Sequence, residues 1–371
     1  MAGTDPVRVT FVSSYGRLGG SEIYLERLLD RIPAASITQV VSLGEGPLID
    51  RLSTNGIPVE TIDTSGRARS IVASARRLRQ RLVTERPDVV HANGLKAAIA
   101  VALATFGTGL PAIWVKHDFA MDGWRAQILA RRFRIVVGVS RALLTTFGTR
   151  EDRFRVVHTG IEAGGVEESG GADLATLCDA PADARIVGLI GHLIPGKGHL
   201  ELLAVARGVL AEVPEARFAF IGGAPSEGFG DYVEGLERMI RHLDLEPVVK
   251  LLGHRDDVAA LLPGCRVVVI PSVAKEGADT EGFPLVALEA MSAGTAIVGY
   301  EVGGLPELVG GCGLLVDRGD RAALERSLID VLRDDSLRAR LVECGRERVQ
   351  QRFSSDQMVS SMMELYEEAA V

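Results

Sequence analysis

The 371-residue chain is short of several things, and each shortage excludes a class of protein. Its four cysteines, Cys178, Cys265, Cys312 and Cys344, are far apart, with no C-x-x-C pair and no histidine at metal-ligand spacing. That excludes a disulfide-dense scaffold and a zinc site, and predicts four reduced thiols in a cytoplasmic protein. No strict D-x-D pair is present to hold a metal, and no metal or cofactor is expected. No G-x-G-x-x-G follows a first strand with an acidic residue about 20 positions on, which argues against a nicotinamide dehydrogenase. Tandem repeats and low-complexity tracts are absent. The start, Met1-Ala2-Gly3-Thr4-Asp5-Pro6, has neither a basic n-region nor an apolar h-region, so no secretory signal is expected there. Ala97–Val115 runs 19 residues without a charge, but Gly107, Gly109 and Pro111 divide it into a buried helix and a strand rather than a membrane span. With a net charge of −8, the chain as a whole shows no basic footprint for nucleic acid, and no such partner is expected.

What is present reads as a globular α/β protein. The composition, 47% hydrophobic and 24% charged, is that of a soluble chain, and its length suits two or three domains. The charge is uneven: residues 1–165 carry 22 Lys and Arg against 15 Asp and Glu, whereas the remainder carries 19 against 34. Short Val- and Ile-rich runs alternate with longer helical patterns. They include Arg8–Val12, Thr38–Leu43, Asp88–Ala92 and Ala112–Lys116, and, after a Gly-rich interval, Arg185–Gly191, Arg217–Gly222, Arg266–Ile270 and Ala296–Tyr300. Near-continuous apolar strands of about five residues are buried on both faces, which predicts parallel, helix-covered sheets of the doubly wound kind, twice over. Gly164-Gly165, Gly170-Gly171 and Pro181 interrupt all periodicity. The expected division is therefore 1–165, a connection over 166–184, 185–354, and a final helix within 355–371 that sets Met358, Met362, Met363 and Tyr366 on one side.

The segment richest in chemistry is Glu281-Gly282-Phe283-Pro284-Leu285-Val286-Ala287-Leu288-Glu289-Ala290-Met291. Pro284 is placed to be the first residue of a helix, with a preset φ and no N–H to satisfy. The amides from Gly282 to Leu285 then form a free helix N-terminus, suited to an anion such as a diphosphate. Glu289 stands in an apolar helix face, where a carboxylate must reach solvent or accept hydrogen bonds. Glu281 is eight residues earlier, roughly 12 Å away at helical rise. Two carboxylates bracketing an anion site fit a nucleotide-sugar, with hydroxyls at both ends and phosphates between. A capping Glu281 and a surface Glu289 are the plainer alternative, and the segment alone leaves both open.

The E-x-x-x-x-x-x-x-E spacing of Glu281 and Glu289, with Ala290-Met291 and Ala293-Gly294 after it, resembles the retaining glycosyltransferases of family 4, which have the GT-B fold. Gly19-Gly20-Ser21-Glu22 resembles that family's glycine loop, and Ser21 is suited to cap the following helix. His117-Asp118 resembles its active-site histidine, Gly191 to Lys197-Gly198 its phosphate loop, and Gly303-Gly304-Leu305-Pro306-Glu307 its GG-x-PE turn. The resemblance covers nearly the whole chain. It implies two Rossmann-like doubly wound domains facing a central cleft, the first binding acceptor and the second the donor, with the last helix crossing back to the first. It implies transfer of a hexosyl group, with retention and without a metal, from a nucleoside-diphosphate sugar (UDP-linked by preference) to a hydroxyl of a small-molecule, lipid or saccharide acceptor. Catalytic roles fall to His117, Glu281 and Lys197. Donor contacts fall to Gly20, His192, Lys197, Glu281, Gly282, Phe283, Pro284, Leu285 and Glu289, and the nucleobase side to His254, Arg255 and Val258. The sequence departs from the family at His192, where an arginine is usual, and this puts donor affinity in doubt, because imidazole offers no bidentate cationic fork. It departs again at Thr159, where the family has Asn. A sugar-nucleotide-binding protein without catalysis stays open beside the enzyme.

One further element is basic and amphipathic. Across Ala68–Arg86, Ile71, Val72, Ala75, Leu78, Leu82 and Val83 repeat at helical spacing, with Arg76, Arg77, Arg79, Arg81 and Arg86 around them. This is either a solvated helix beside a parallel sheet or a peripheral contact with anionic lipid at the inner face of a membrane.

Overall fold

Apolar β-branched runs bounded by Gly, Pro and Asn become buried parallel strands. The computed structural model describes residues 6–62, 64, 68–148, 152–162, 174–225, 227–273 and 281–371. Contacts divide the chain into two compact units, Met1–Gly160 with Phe353–Val371, and Ile161–Arg352. The expected break at Gly164-Gly165 and Gly170-Gly171 lies outside the described residues.

The first unit is built on β1 (Val9–Ser13), β2 (Ile37–Ser42), β3 (Val59–Thr61), β4 (Val89–Asn93), β5 (Ala112–Lys116), β6 (Ile135–Gly138) and β7 (Phe154–Val156), in the spatial order β3-β2-β1-β4-β5-β6-β7. The second is built on β8 (Arg185–Ile190), β9 (Ala216–Ile221), β10 (Val249–Gly253), β11 (Val267–Ile270), β12 (Ala296–Tyr300) and β13 (Leu314–Val316), in the order β10-β9-β8-β11-β12-β13. Adjacent strands run parallel in both. All five residues of β1, β4 and β5 are buried, as strands sandwiched between helix layers must be. Each sheet reverses its winding order once, between β1 and β4 and between β8 and β11. At such a switch point the loops leaving the carboxyl ends splay apart and open a crevice.

The uncharged stretch forms the helix Leu95–Ala104 and then β5, joined through Gly107 and Gly109 at positive φ. Among the described residues no helix is long and apolar enough to cross a membrane. In the basic helix Ala68–Glu85, Ala75, Leu78 and Leu82 are buried in the first unit's core, while Val72 and Val83 stay exposed. Half of the apolar stripe is therefore taken up by the first unit's own core. The last helix, Ser355–Ala370, is capped by Ser354 Oγ and packs on the first sheet through Met358, Met362 and Tyr366.

Two expectations are corrected. Residues 174–184 are part of the second unit rather than a free connection, because Leu174 and Cys178 bury there and Lys250 Nζ donates to Asp179 Oδ2 at 2.8 Å. The four thiols are not all reduced. Cys178 and Cys265 are buried thiols outside any disulfide, but Cys312 and Cys344 form one. Arg348, on the helix Asp335–Arg352, donates to the carbonyls of Leu308 and Glu307 and holds that helix across the end of Leu305–Val309, which brings the two cysteines together.

Candidate functional site

In the second unit the crevice between β8 and β11 collects most of the residues singled out from the sequence. β8 runs into Gly191 and His192, and Pro195–Lys197 forms a turn that ends on Gly198 at φ +75°. A Cβ at Gly198 would stand 1.8 Å from the Pro271 carbonyl oxygen, so only glycine lets this loop lie against the end of β11. Lys197 Nζ then reaches across and donates to Glu281 Oε1 at 2.7 Å, and Ser272 Oγ donates to the same oxygen at 2.6 Å. The Glu281 backbone is fixed as well: its carbonyl accepts from Gly304 N at 2.9 Å, and a Cβ on Gly303 would meet that oxygen at 1.9 Å. The GG-x-PE turn therefore positions Glu281 directly. With 4% of its surface exposed, Glu281 is a buried carboxylate balanced by one lysine and one hydroxyl.

The helix that follows is Leu285–Ala293. Pro284 is its N-cap, with ψ 104°, and not its first helical residue as expected; the extended ψ breaks the helix one position later than the proline pattern implies. Ala287 and Leu288 donate to the Pro284 carbonyl, and the amides of Leu285 and Val286 precede any helical acceptor. Phe283 and Pro284 are buried, whereas Leu285 and Glu289 are half-buried. The nine-residue helix thus offers its positive end beside Glu281 and a carboxylate one turn on.

His192 is exposed on the β8 loop. His254 is exposed after β10 and stands 3.3 Å from Asp256, and the Arg255 guanidinium forks onto Asp257 at 2.8 and 2.6 Å, ahead of the short helix that Val258 opens. This loop lies two strands from β8, and its arginine is already committed to a carboxylate. Ser272 is a site residue that the sequence reading did not single out, although its place at the carboxyl end of a buried strand marks it.

The first unit gathers a second group. Gly20 is the first residue of the helix Gly20–Leu29, and Gly19 is its cap. Ser21, expected to cap that helix, is already inside it and donates instead to Glu22 Oε2 at 2.8 Å. Burial pushes the Glu22 carboxyl up to about 7, against the lowering effect of that hydroxyl and of Arg17. His117, just past β5, has its Nε2 at 2.7 Å from Asn93 Oδ1, and Asn93 Nδ2 donates to the Ser21 carbonyl. Since Oδ1 only accepts, His117 Nε2 carries the proton and Nδ1 is left as an acceptor. Burial, with a smaller effect of nearby His91, pushes His117 down to about 3, so the ring is neutral at ordinary pH. His91 Nδ1 in turn lies 2.6 Å from the Tyr366 hydroxyl on the last helix. Asn93 and His91 beside His117, and Tyr366 beside His91, are not legible in the sequence, because strand pairing and the returning helix bring them there. A cavity of about 560 Å³ opens at this edge, with Tyr15, Arg17, Lys96, His117 and Asp118 on its walls.

The chain is similar to known proteins along both units. Residues 179–348 match the family described as glycosyl transferases group 1, and residues 18–164 match glycosyltransferase family 4. A D-inositol 3-phosphate glycosyltransferase of Acidothermus cellulolyticus is 31% identical over 309 residues, which cover 76% of this chain and 67% of that one. An N-acetyl-alpha-D-glucosaminyl L-malate synthase of Bacillus anthracis is 34% identical over 131 residues, 35% of this chain and 33% of its own. Among solved structures, Anabaena HepE in complex with UDP and glucose superposes with a TM-score of 0.83 at 25% identity, covering 98% of this chain and 100% of that one. With two parallel-sheet Rossmann-like units of this order, the chain belongs to glycosyltransferase family 4 and has the GT-B fold.

Proposed function

We propose that this glycosyltransferase moves a hexosyl group, with retention of configuration, from a UDP-sugar to a hydroxyl acceptor, and that it needs no metal to do so. The observation that carries the reading is the Lys197–Glu281–Ser272 contact at the β8/β11 crevice, set beside the N-terminus of Leu285–Ala293. A helix end and an ammonium stabilise the charge that grows on a departing diphosphate. UDP and glucose bound to HepE make UDP the first donor nucleotide to test.

Each residue then has a role. Glu289 accepts from the ribose hydroxyls and Glu281 from the sugar hydroxyls, the latter held in place by its lysine and serine. Lys197 and the amides at Leu285 and Val286 meet the diphosphate, with Gly282, Phe283 and Pro284 shaping the wall and His192 beside the phosphates. His254, Arg255 and Val258 border the nucleobase. His117 is a neutral imidazole that offers Nδ1 as an acceptor to the transferring sugar. The acceptors are saccharides or lipids. Release of UDP from UDP-glucose and related donors, measured with and without hydroxyl acceptors, tests transfer. Proton NMR of the product tests retention: an inverted anomer excludes the retaining mechanism, and binding of UDP-sugars with no turnover favours a silent binding protein.

A further inference from the structure

The polar cavity beside His117 does not end at polar walls. Ile99, on the helix Leu95–Ala104, lines it and also lines a second cavity of about 390 Å³ between that helix and the helix Trp124–Ala130. The second cavity is almost wholly apolar, with Leu103, Phe106, Met121, Trp124 and Ile128 on its walls. A soluble protein normally hides such side chains, yet Trp124 is 65% exposed, Phe106 61% and Ile128 53%. The loop that separates the two cavities is held from beneath. Lys116, 2% exposed, donates to the carbonyls of Asp118 and Met121 and stands 3.2 Å from Asp122 Oδ1. His117 and Asp118 thus face the polar side, and Met121 the apolar one.

The rim of the apolar groove is cationic. The Arg125 guanidinium lies 5.4 Å from the Trp124 ring centroid and that of Arg132 4.7 Å from the Phe106 centroid. Among the described residues no carboxylate pairs with either arginine. From residue 96 to 148 the sequence has seven Lys and Arg against two Asp and Glu. Stacked guanidinium groups keep the aromatic faces flanked by charge while leaving N–H donors for an anion.

We propose that the acceptor is an anionic amphiphile whose hydrocarbon tail lies in the Ile99–Phe106–Trp124–Ile128 groove, whose anionic group meets Arg125 and Arg132, and whose reacting hydroxyl enters the polar cavity beside His117. This rests on the glycosyl-transfer reading and narrows it to a substrate class. Ile99 supplies the adjacency: one side chain forms a wall of both cavities, which sets the apolar groove beside the polar one. Scattered surface apolar residues require no ligand, whereas a concave apolar groove whose rim arginines meet no carboxylate among the described residues has the make-up of a ligand site.

The test uses the protein's own fluorescence. Trp124 is one of two tryptophans and the other, Trp114, is 1% exposed, so a change of emission on adding a ligand reports on the groove. Monomeric alkyl phosphates from butyl to dodecyl, each below its micellar concentration, are titrated with UDP affinity measured in the same samples. Affinity should rise by up to about fourfold per methylene until the groove is filled, the factor for about 0.8 kcal/mol per buried CH₂. Ile128→Glu, at an exposed position that folding does not require, should abolish the chain-length dependence and leave UDP affinity unchanged. Arg125→Gln with Arg132→Gln should remove the preference for dodecyl phosphate over an uncharged dodecyl glycoside. A flat chain-length series, an unaffected Ile128→Glu variant, or binding to phosphatidylglycerol vesicles without binding of monomers would overturn the proposal; the last outcome would make the groove a membrane contact. Failure of the parent protein to bind UDP would instead remove the glycosyl-transfer reading beneath it.

Discussion

Lys197 Nζ lies 2.7 Å from Glu281 Oε1 and ties together two loops separated by 84 residues. The loops leave β8 and β11, the strands between which the second sheet changes direction. The pair therefore fixes the mouth of the crevice before any ligand arrives. Lys197→Met strands a carboxylate that is 4% exposed, and should cost on the order of 3 kcal/mol of stability. Glu281→Gln should cost less, since Ser272 can still donate to an amide oxygen. Chemical denaturation of both variants and of Lys197→Met/Glu281→Gln should give a double-mutant cost well below the sum of the singles. Additive costs would mean that the contact contributes nothing to holding the loops.

His192 stands on the Lys197 loop where a guanidinium would be the stronger phosphate ligand. His192→Arg should tighten UDP binding several-fold, and should make affinity fall more steeply as salt is raised. Equal affinity and equal salt dependence would place His192 away from the diphosphate.

Glu22 gives a pH signature in the first unit. Burial raises its folded-state pKa to about 7 from an ordinary 4.5, so the folded protein holds the proton more tightly than the unfolded chain. Its stabilising contribution is complete below pH 4.5 and is lost as pH rises through 7. Glu22→Gln should therefore gain stability over the parent between pH 4.5 and 7, by as much as about 3 kcal/mol. His91, His117 and His199, whose values burial lowers, push the parent's own curve the other way below pH 6.5 and cancel in the difference. A difference between variant and parent that does not change with pH would contradict a carboxyl whose burial outweighs its hydrogen bond from Ser21.

The strands and the Glu281 helix were legible because their signals are local. Buried parallel strands such as β1 and β11 are continuous Val and Ile runs, and Pro284, Gly198 and Gly303 mark where the chain must turn. Contacts made by folding were not legible. Asn93 meets His117 because β4 and β5 lie side by side, and Tyr366 meets His91 because the last helix returns to the first sheet. The Cys312–Cys344 bond has the same origin, since nothing in a spacing of 32 residues says that one helix will cross the end of another. In the basic helix the 3.6-residue period gave the apolar stripe but not what covers it. Ser21 fails as a cap for a smaller reason, because the helix begins at Gly20, two residues sooner than a Ser21 cap implies.

Calorimetric titration of UDP into the parent protein and into Glu289→Ala reads donor binding at the Leu285–Ala293 helix. Glu289 is half-buried one turn into Leu285–Ala293, so its removal should leave the fold intact and the melting temperature within a few degrees. The parent should bind UDP and the variant should bind it about 10- to 100-fold more weakly, the loss of charge-assisted hydrogen bonds worth about 1.5–3 kcal/mol to the ribose hydroxyls. Unchanged UDP affinity in a folded Glu289→Ala protein would contradict that role for Glu289.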